Sequence, residues 1–533
     1  MKPRDGAGSR SSPTEVQLAL AGMDAVALRD VVRGVLAELD EHARERLARA
    51  ILERRAPAGS GSVAPAFANT DVTEALAFAA GAKKAGHADP ERVDDHLRRG
   101  TRAFLRKDYA GAYQILGALL PPITDVEVDL GQDEMFNEVL SVDASECALQ
   151  YVVSAYMTSE PARRADAVRA AIDAMSGASY FLEPLREMER VAVEPLPGLD
   201  AFLPLWRAIV EAEAAGARHR SRDNEADRWL REVVRRVEGP RGLANIARST
   251  GRAEDLRAWC ESLMEAGDWQ AALAACEQAA ELVTDRASTR AGFFDAAALA
   301  ARETGMKDLS PWLERAWRAA PTMPRLCRWL GAATTTPSIH ERVTEALRAC
   351  PSQALRQRAF LHVLQGNTER AAELLAAAPG LGWSDRDHAG HLLFPLFQAF
   401  LGGGGSSRPA LVLPDGDLGI EELDALTAGG DDAPQRTTPT MDDILCAAGV
   451  EGGLDAKARI AMLGAMRTAA ERRVAGVTEQ KSRRHYGHAA SLVASCAACD
   501  PSAETAQWAA RLRKAYRRFP ALCAEFERRM GRE

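Results

Sequence analysis

Apolar residues recur every three or four positions along most of this chain, and alternating runs are short and isolated. That spacing places apolar side chains on one face of a helix, whereas a half-buried strand needs a period of two. The only stretches that alternate are brief, as at Val126–Val128. The expected fold class is therefore all-α: an α-solenoid of tetratricopeptide-like helical repeats, with regions of irregular helical bundle. A length of 533 residues suits such an extended array.

Breaks in the periodicity divide the chain. Residues 1–13 are polar and read as disordered, and 14–55 read as a helical pair. Residues 56–70, APAGSGSVAPAFANT, have linker composition. Residues 71–401 read as the solenoid. Residues 402–440 begin with GGGGSS and continue rich in Gly, Asp and Thr, a flexible acidic loop. Helices resume over 441–533, where the last helix is basic.

Three segments carry the small-and-bulky pattern of a helix–turn–helix repeat, in which a small residue allows two helices to cross and a bulky one fills the groove beside it. In the first these are Gly100, Tyr109, Ala112 and Leu116. In the second, WCESLMEAGDWQAALAACEQA, Gly267 marks the turn, Trp269 fills the groove, and Ala272 and Ala279 allow close approach. The third has Gly366, Ala371, Leu375 and Ala378. Their spacing is uneven, so the array is degenerate. Tyr109 and Trp269 are candidate partner-binding side chains.

Charge excludes some function classes. Net charge is −8, from 67 basic and 75 acidic residues, which supplies no global attraction for nucleic acid or anionic lipid. No apolar stretch is long enough to span a bilayer and no secretory signal is present, so the expected location is cytoplasmic, with no membrane partner. Nine irregularly spaced cysteines fit reduced thiols better than a disulfide framework. A local exception to the charge balance lies at the C-terminus, where QWAARLRKAYRRF places Arg513, Lys514, Arg517 and Arg518 around a stripe of Trp508, Leu512, Ala515 and Phe519. Such a helix can bind an anionic partner, nucleic acid included, although its stripe more often packs on a core.

Two clusters have metal-ligand chemistry. In DRDHAGH, Asp387, His388 and His391 fall three and four residues apart, on one helical face. The competing interpretation is a helix start capped by Ser384 and Asp387. His485, His488, Cys496 and Cys499 have zinc-ligand types, but one continuous helix would hold the two pairs too far apart for a single ion. The acidic run Asp125, Glu127, Asp129, Asp133 and Glu134 resembles a calcium loop, but Leu130 stands where the sharp turn needs Gly, and Phe136 where a bidentate Glu is needed.

Phosphate-binding, zincin and nucleophile-elbow motifs are all absent, so no catalytic residue is assigned, no cofactor is expected, and a non-enzymatic role leads. The stretches LAGMDAVALRDVVRGVLAEL, DLGQDEMFNEVLSVDASECALQYVVSAY, GWSDRDHAGHLLFPLF and HYGHAASLVASCAACDPSAETAQWAARLRKAYRRFPAL resemble the helical portion of bacterial SWIM zinc-finger family proteins, over about residues 18 to 525. The zinc motif of that family, Cys-x-Cys followed by Cys-x-His, is missing, so its zinc site does not carry over. The resemblance implies a helical scaffold, working beside a MoxR-type ATPase or a von Willebrand A-domain system. The expectation is a scaffold or adaptor for a protein partner. A nucleic-acid-associated protein and a metal-dependent enzyme around Asp387, His388 and His391 are the alternatives.

Overall fold

A computed structural model describes residues 65–131, 136–217, 223–333, 335–385, 387–402, 425–426, 433–450 and 455–531. The expected disordered N-terminus (1–13), the helical pair (14–55) and most of the 402–440 loop lie outside these residues. The described chain is all-α, and among the described residues the only β pairing is one isolated bridge, His87 to Asp129.

The chain divides into two compact units rather than the single 71–401 body expected from periodicity. The first ends at Thr158 and includes 177–179; the second contains the rest to the C-terminus. In the first, α1 (Pro65–Ala85), α2 (Pro90–Leu105), α3 (Tyr109–Thr124), α4 (Phe136–Val139) and α5 (Ala144–Thr158) follow in order. Helix α1 begins inside the stretch assigned to the linker. Gly100 earns its place here: a Cβ would stand 2.6 Å from Leu116 Cδ2, so the crossing of α2 and α3 needs the bare backbone.

The second unit continues with α6 (Arg164–Ala174), α7 (Pro184–Val191), α8 (Leu199–Ala217) and α9 (Glu225–Thr250), the last bent at Gly239 and Pro240. Helices then pack mainly against their chain neighbours: α10 (Ala253–Glu265), α11 (Trp269–Leu282), α12 (Ala287–Glu303), α13 (Ser310–Ala319), α14 (Met323–Gly331), α15 (Thr336–Ala349), α16 (Leu355–Leu364), α17 (Thr368–Ala377) and α18 (Gly390–Leu401). After the long connection the chain turns back. Helix α19 (Met441–Ala447) packs on α14, and α20 (Ala456–Glu479) on α17 and α18. Helices α21 (Tyr486–Cys499), α22 (Ala503–Ala515) and α23 (Pro520–Met530) complete the unit.

Three turns share one geometry. Each has a left-handed residue (Lys107, Gly267 or Gly366) followed by a side-chain cap, Asp108, Asp268 or Asn367, at φ near −83° and ψ near 70°. In each, the cap N–H reaches back five residues to a carbonyl: Ala103, Leu263 or His362. The left-handed residue closes the first helix and the carboxylate or amide opens the second, satisfying both helix ends at once. The same backbone pattern recurs at Lys481 and Ser482, where the sequence gives no glycine to mark it.

Candidate functional site

The first helices of successive pairs, α10, α12 and α14, meet along one face. Helices α10 and α12 touch directly, and α12 and α14 are joined by a buried ionic node. Asp295 of α12 is 2% exposed. Its carboxylate accepts from Arg325 Nε at 2.8 Å and Arg328 Nη2 at 3.1 Å, both on α14, and Arg436 stands 3.5 Å away. A carboxylate so deep is tolerable only with cations and hydrogen bonds around it. The α12–α14 crossing is therefore specified by charge as well as by shape.

Arg436 belongs to the part of the long connection that returns across this face. Arg302 of α12 donates to the Gln435 carbonyl at 3.0 Å and to Thr437 Oγ1 at 3.4 Å. Arg328 donates to Thr438 Oγ1 at 3.0 Å. Pro439 sits on Gly331, where a Cβ would come within 2.6 Å of the proline ring. Upstream, Arg257 of α10 donates to the Ala425 carbonyl at 2.9 Å, and Leu426 is buried. Thr440 then caps α19 in a reciprocal pair with Asp443. The tract Gln435–Pro439 has no secondary structure of its own and is held by donors on α12 and α14. A cavity of about 240 Å³ adjoins it, lined by Leu299, Leu309 and Leu313 together with Arg436, Thr437 and Pro439.

A second cleft, of about 800 Å³, lies among α7, α9 and α10. Arg231 is fixed in it by Asp223 and Asp255, each at 2.7 Å. Glu232 accepts the amides of Leu185 and Arg186, serving from α9 as the cap that α7 lacks. Burial nonetheless lifts Glu232 to about 7. The carboxylate is engaged with the helix end, which is a structural task.

The residues singled out for metal binding do not converge. His388 Nε2 lies 2.9 Å from the Pro379 carbonyl, and its Nδ1 accepts the Gly390 amide at 3.1 Å, so both ring nitrogens are occupied. His388 and His391 pack against Trp383, with ring centroids 4.6 and 6.0 Å away, and His488 joins them at 4.9 Å. Asp387 instead lines a pocket with Arg356 and Gln357. Among the described residues no three His, Cys, Asp or Glu side chains stand where they could share a metal ion. The expected Ser384 cap is also displaced: the helix starts at Gly390, because the Asp385 side chain takes the Asp387 amide in a turn and His388 takes the first helical N–H. Burial lowers the pKa of both His388 and His391, with Arg473 and Arg356 nearby adding to the effect.

The other sequence candidates fall elsewhere. Trp269 and Tyr109 each occupy the first position of the helix after a shared turn, half-buried; Tyr109 stacks edge-on to Phe104. Trp508 is buried and donates to Glu471, so the stripe of the basic helix begins as core. Lys514, Arg517 and Arg518 are exposed, Arg513 is half-buried, and Arg518 lies 5.1 Å over the Phe519 ring. Cys496 is fully buried and its thiol is pushed well above the usual range by burial. In the acidic run, Glu127 pairs with Lys83 at 2.6 Å and Asp129 caps Gly131, while Asp133 and Glu134 lie outside the described residues. Among the described residues no helix is long and apolar enough to cross a membrane. No protein-family model matches the chain, and no curated protein matches it.

Proposed function

We propose that this chain is a non-catalytic scaffold or adaptor that holds an extended segment of a protein partner on the face formed by α10, α12 and α14. One observation carries the reading: that face already holds a strand-free tract of the chain itself, Gln435–Pro439, through donors from Arg302 and Arg328. Helix-pair arrays bind peptides through such rows of first helices, and the three shared turns support a tetratricopeptide-type array here. The resemblance to SWIM-family helical regions makes a MoxR-type ATPase or a von Willebrand A-domain protein the first partner to test.

The test places a photo-crosslinking residue at Ala332, beside the tract, in the full chain. A crosslinked protein partner from cells that make this chain, lost when Arg302 is replaced by Glu, is expected. Crosslinking indifferent to Arg302→Glu, or none, overturns the reading. The exposed Lys514, Arg517 and Arg518 support a second reading, binding to nucleic acid. It requires a salt-sensitive shift with DNA or RNA that disappears when these residues and Arg513 become Ala.

A further inference from the structure

We infer that Gln435–Pro439 is a displaceable internal ligand, and that the segment which replaces it carries a cation followed by a bulky apolar side chain. The inference rests on the reading of this face as a peptide-binding surface and states what that peptide must look like.

Three features of the site point this way. Asp295 keeps two guanidinium partners, Arg325 and Arg328, when Arg436 leaves. Emptying the face therefore does not strand a buried carboxylate, which would otherwise lock the tract in place. The bonds from Arg302 end on a carbonyl and a hydroxyl at an exposed position, where water or another backbone substitutes readily. The firm attachments stand at the end of the tract: Pro439 on Gly331 and the Thr440–Asp443 cap of α19, so release can hinge there without unfolding that helix.

The site is also incompletely filled. Thr437 lines a cavity of about 240 Å³ together with Leu299, Leu309 and Leu313. A two-carbon, hydroxyl-bearing side chain leaves that cavity unfilled, although Leu299 and Leu313 are themselves buried. A partner with Arg or Lys at the position of Arg436 and Leu or Phe at the position of Thr437 makes the same ionic contact to Asp295 and also fills the cavity against Leu299, Leu309 and Leu313. Burial of one such side chain is worth about tenfold or more in affinity. The tract then acts as a weak occupant at high effective concentration, raising the threshold that a true partner must exceed.

Two fluorescent peptides test this: residues 433–441 as they stand, and the same peptide with Thr437→Phe. They are titrated by anisotropy onto the full native chain and onto a full-length variant with Gln435→Gly, Arg436→Ser, Thr437→Gly and Thr438→Ser. The Thr437→Phe peptide is expected to bind the variant about tenfold more tightly than the unaltered one. Both peptides should bind the native chain about tenfold more weakly than the variant. Adding Leu309→Arg should abolish the difference between the peptides. If neither peptide binds a variant that keeps its helicity and unfolding midpoint, or Leu309→Arg changes nothing, the inference fails. Should the variant not fold, hydrogen exchange on the native chain decides: excess Thr437→Phe peptide must speed exchange of the 435–438 amides, and unchanged exchange overturns the proposal. Peptide binding without any cellular partner would sink the adaptor reading and leave this one standing.

Discussion

Two clusters of polar side chains in the second unit contrast sharply. Around Trp383, His388, His391 and His488 have metal-binding chemistry, lie close in sequence in part, and turn out to be packed rings, His388 with both nitrogens on backbone. At Asp295 of α12, three arginines from α14 and the long connection carry no motif at all, yet they converge on one buried carboxylate beside a bound tract. Residue chemistry at helical spacing pointed to a metal site, but among the described residues no three such side chains stand where they could share an ion. Convergence of distant residues made a site that spacing could not announce. His388 is satisfied on both ring nitrogens, whereas the aspartate node holds a third cation, Arg436, from the long connection.

Substitutions can break this contrast. The largest effect is expected at the node. Asp295→Ala leaves Arg325 and Arg328 buried without their carboxylate, and should cost about 3–5 kcal/mol in denaturant unfolding. A cost under 1 kcal/mol would mean that the node does not join α12 to α14. Trp383→Ala removes the ring on which the three histidines pack. It should cost about 3 kcal/mol, and zinc content of the purified protein should stay negligible before and after. Zinc near one equivalent in either protein would reverse the assignment of that cluster.

Acid should separate the clusters next. Burial holds His388 and His391 below the ordinary imidazole value, beside Arg473 and Arg356, with Asp385 the nearby acid. The unfolded chain therefore takes up protons first. Stability is fully present above pH about 6.5 and is lost as pH falls below it through the folded values. In urea titrations from pH 7.5 to 5, His388→Gln should flatten this slope, while Arg302→Ala should leave it unchanged. Equal slopes for His388→Gln and the native chain would place the sensitivity elsewhere.

Smaller effects sharpen the picture. Gly331→Ala would push a Cβ to 2.6 Å from Pro439 and 3.1 Å from Ile444. It should cost about 1–2 kcal/mol through overpacking and loosen the tract, seen as faster exchange of the 435–438 amides. The smallest change is a gain: Lys107→Gly relieves a left-handed lysine at φ 64°. It should raise the stability of the first unit by about 0.5 kcal/mol, the net of relieved strain and glycine's added chain entropy.

The shared turns show how far local sequence reaches. At 267–268 and 366–367 a glycine precedes Asp or Asn, so a left-handed helix end and the next helix's cap are written in adjacent residues. At 107–108 the cap is legible but the left-handed residue is lysine, and at 481–482 the pair is Lys-Ser, so only the backbone hydrogen bonds reveal the pattern. Helix start signals fail where a neighbouring side chain competes. Ser384 and Asp387 look like a cap, but Asp385 and His388 claim the amides and delay the helix to Gly390.

The sequence by itself determined the helical class and the turns that join several helices, because those follow from periodicity and from bonds spanning five residues or fewer. Only the tertiary structure decided the division at Thr158 and the return of the long connection to α14. It alone brought Asp295 to arginines 30 and 33 residues away, and Arg328 to a threonine 110 residues away. Contacts at such separations depend on which helix faces meet, and a helix's own pattern states only that a face is apolar, not what will cover it.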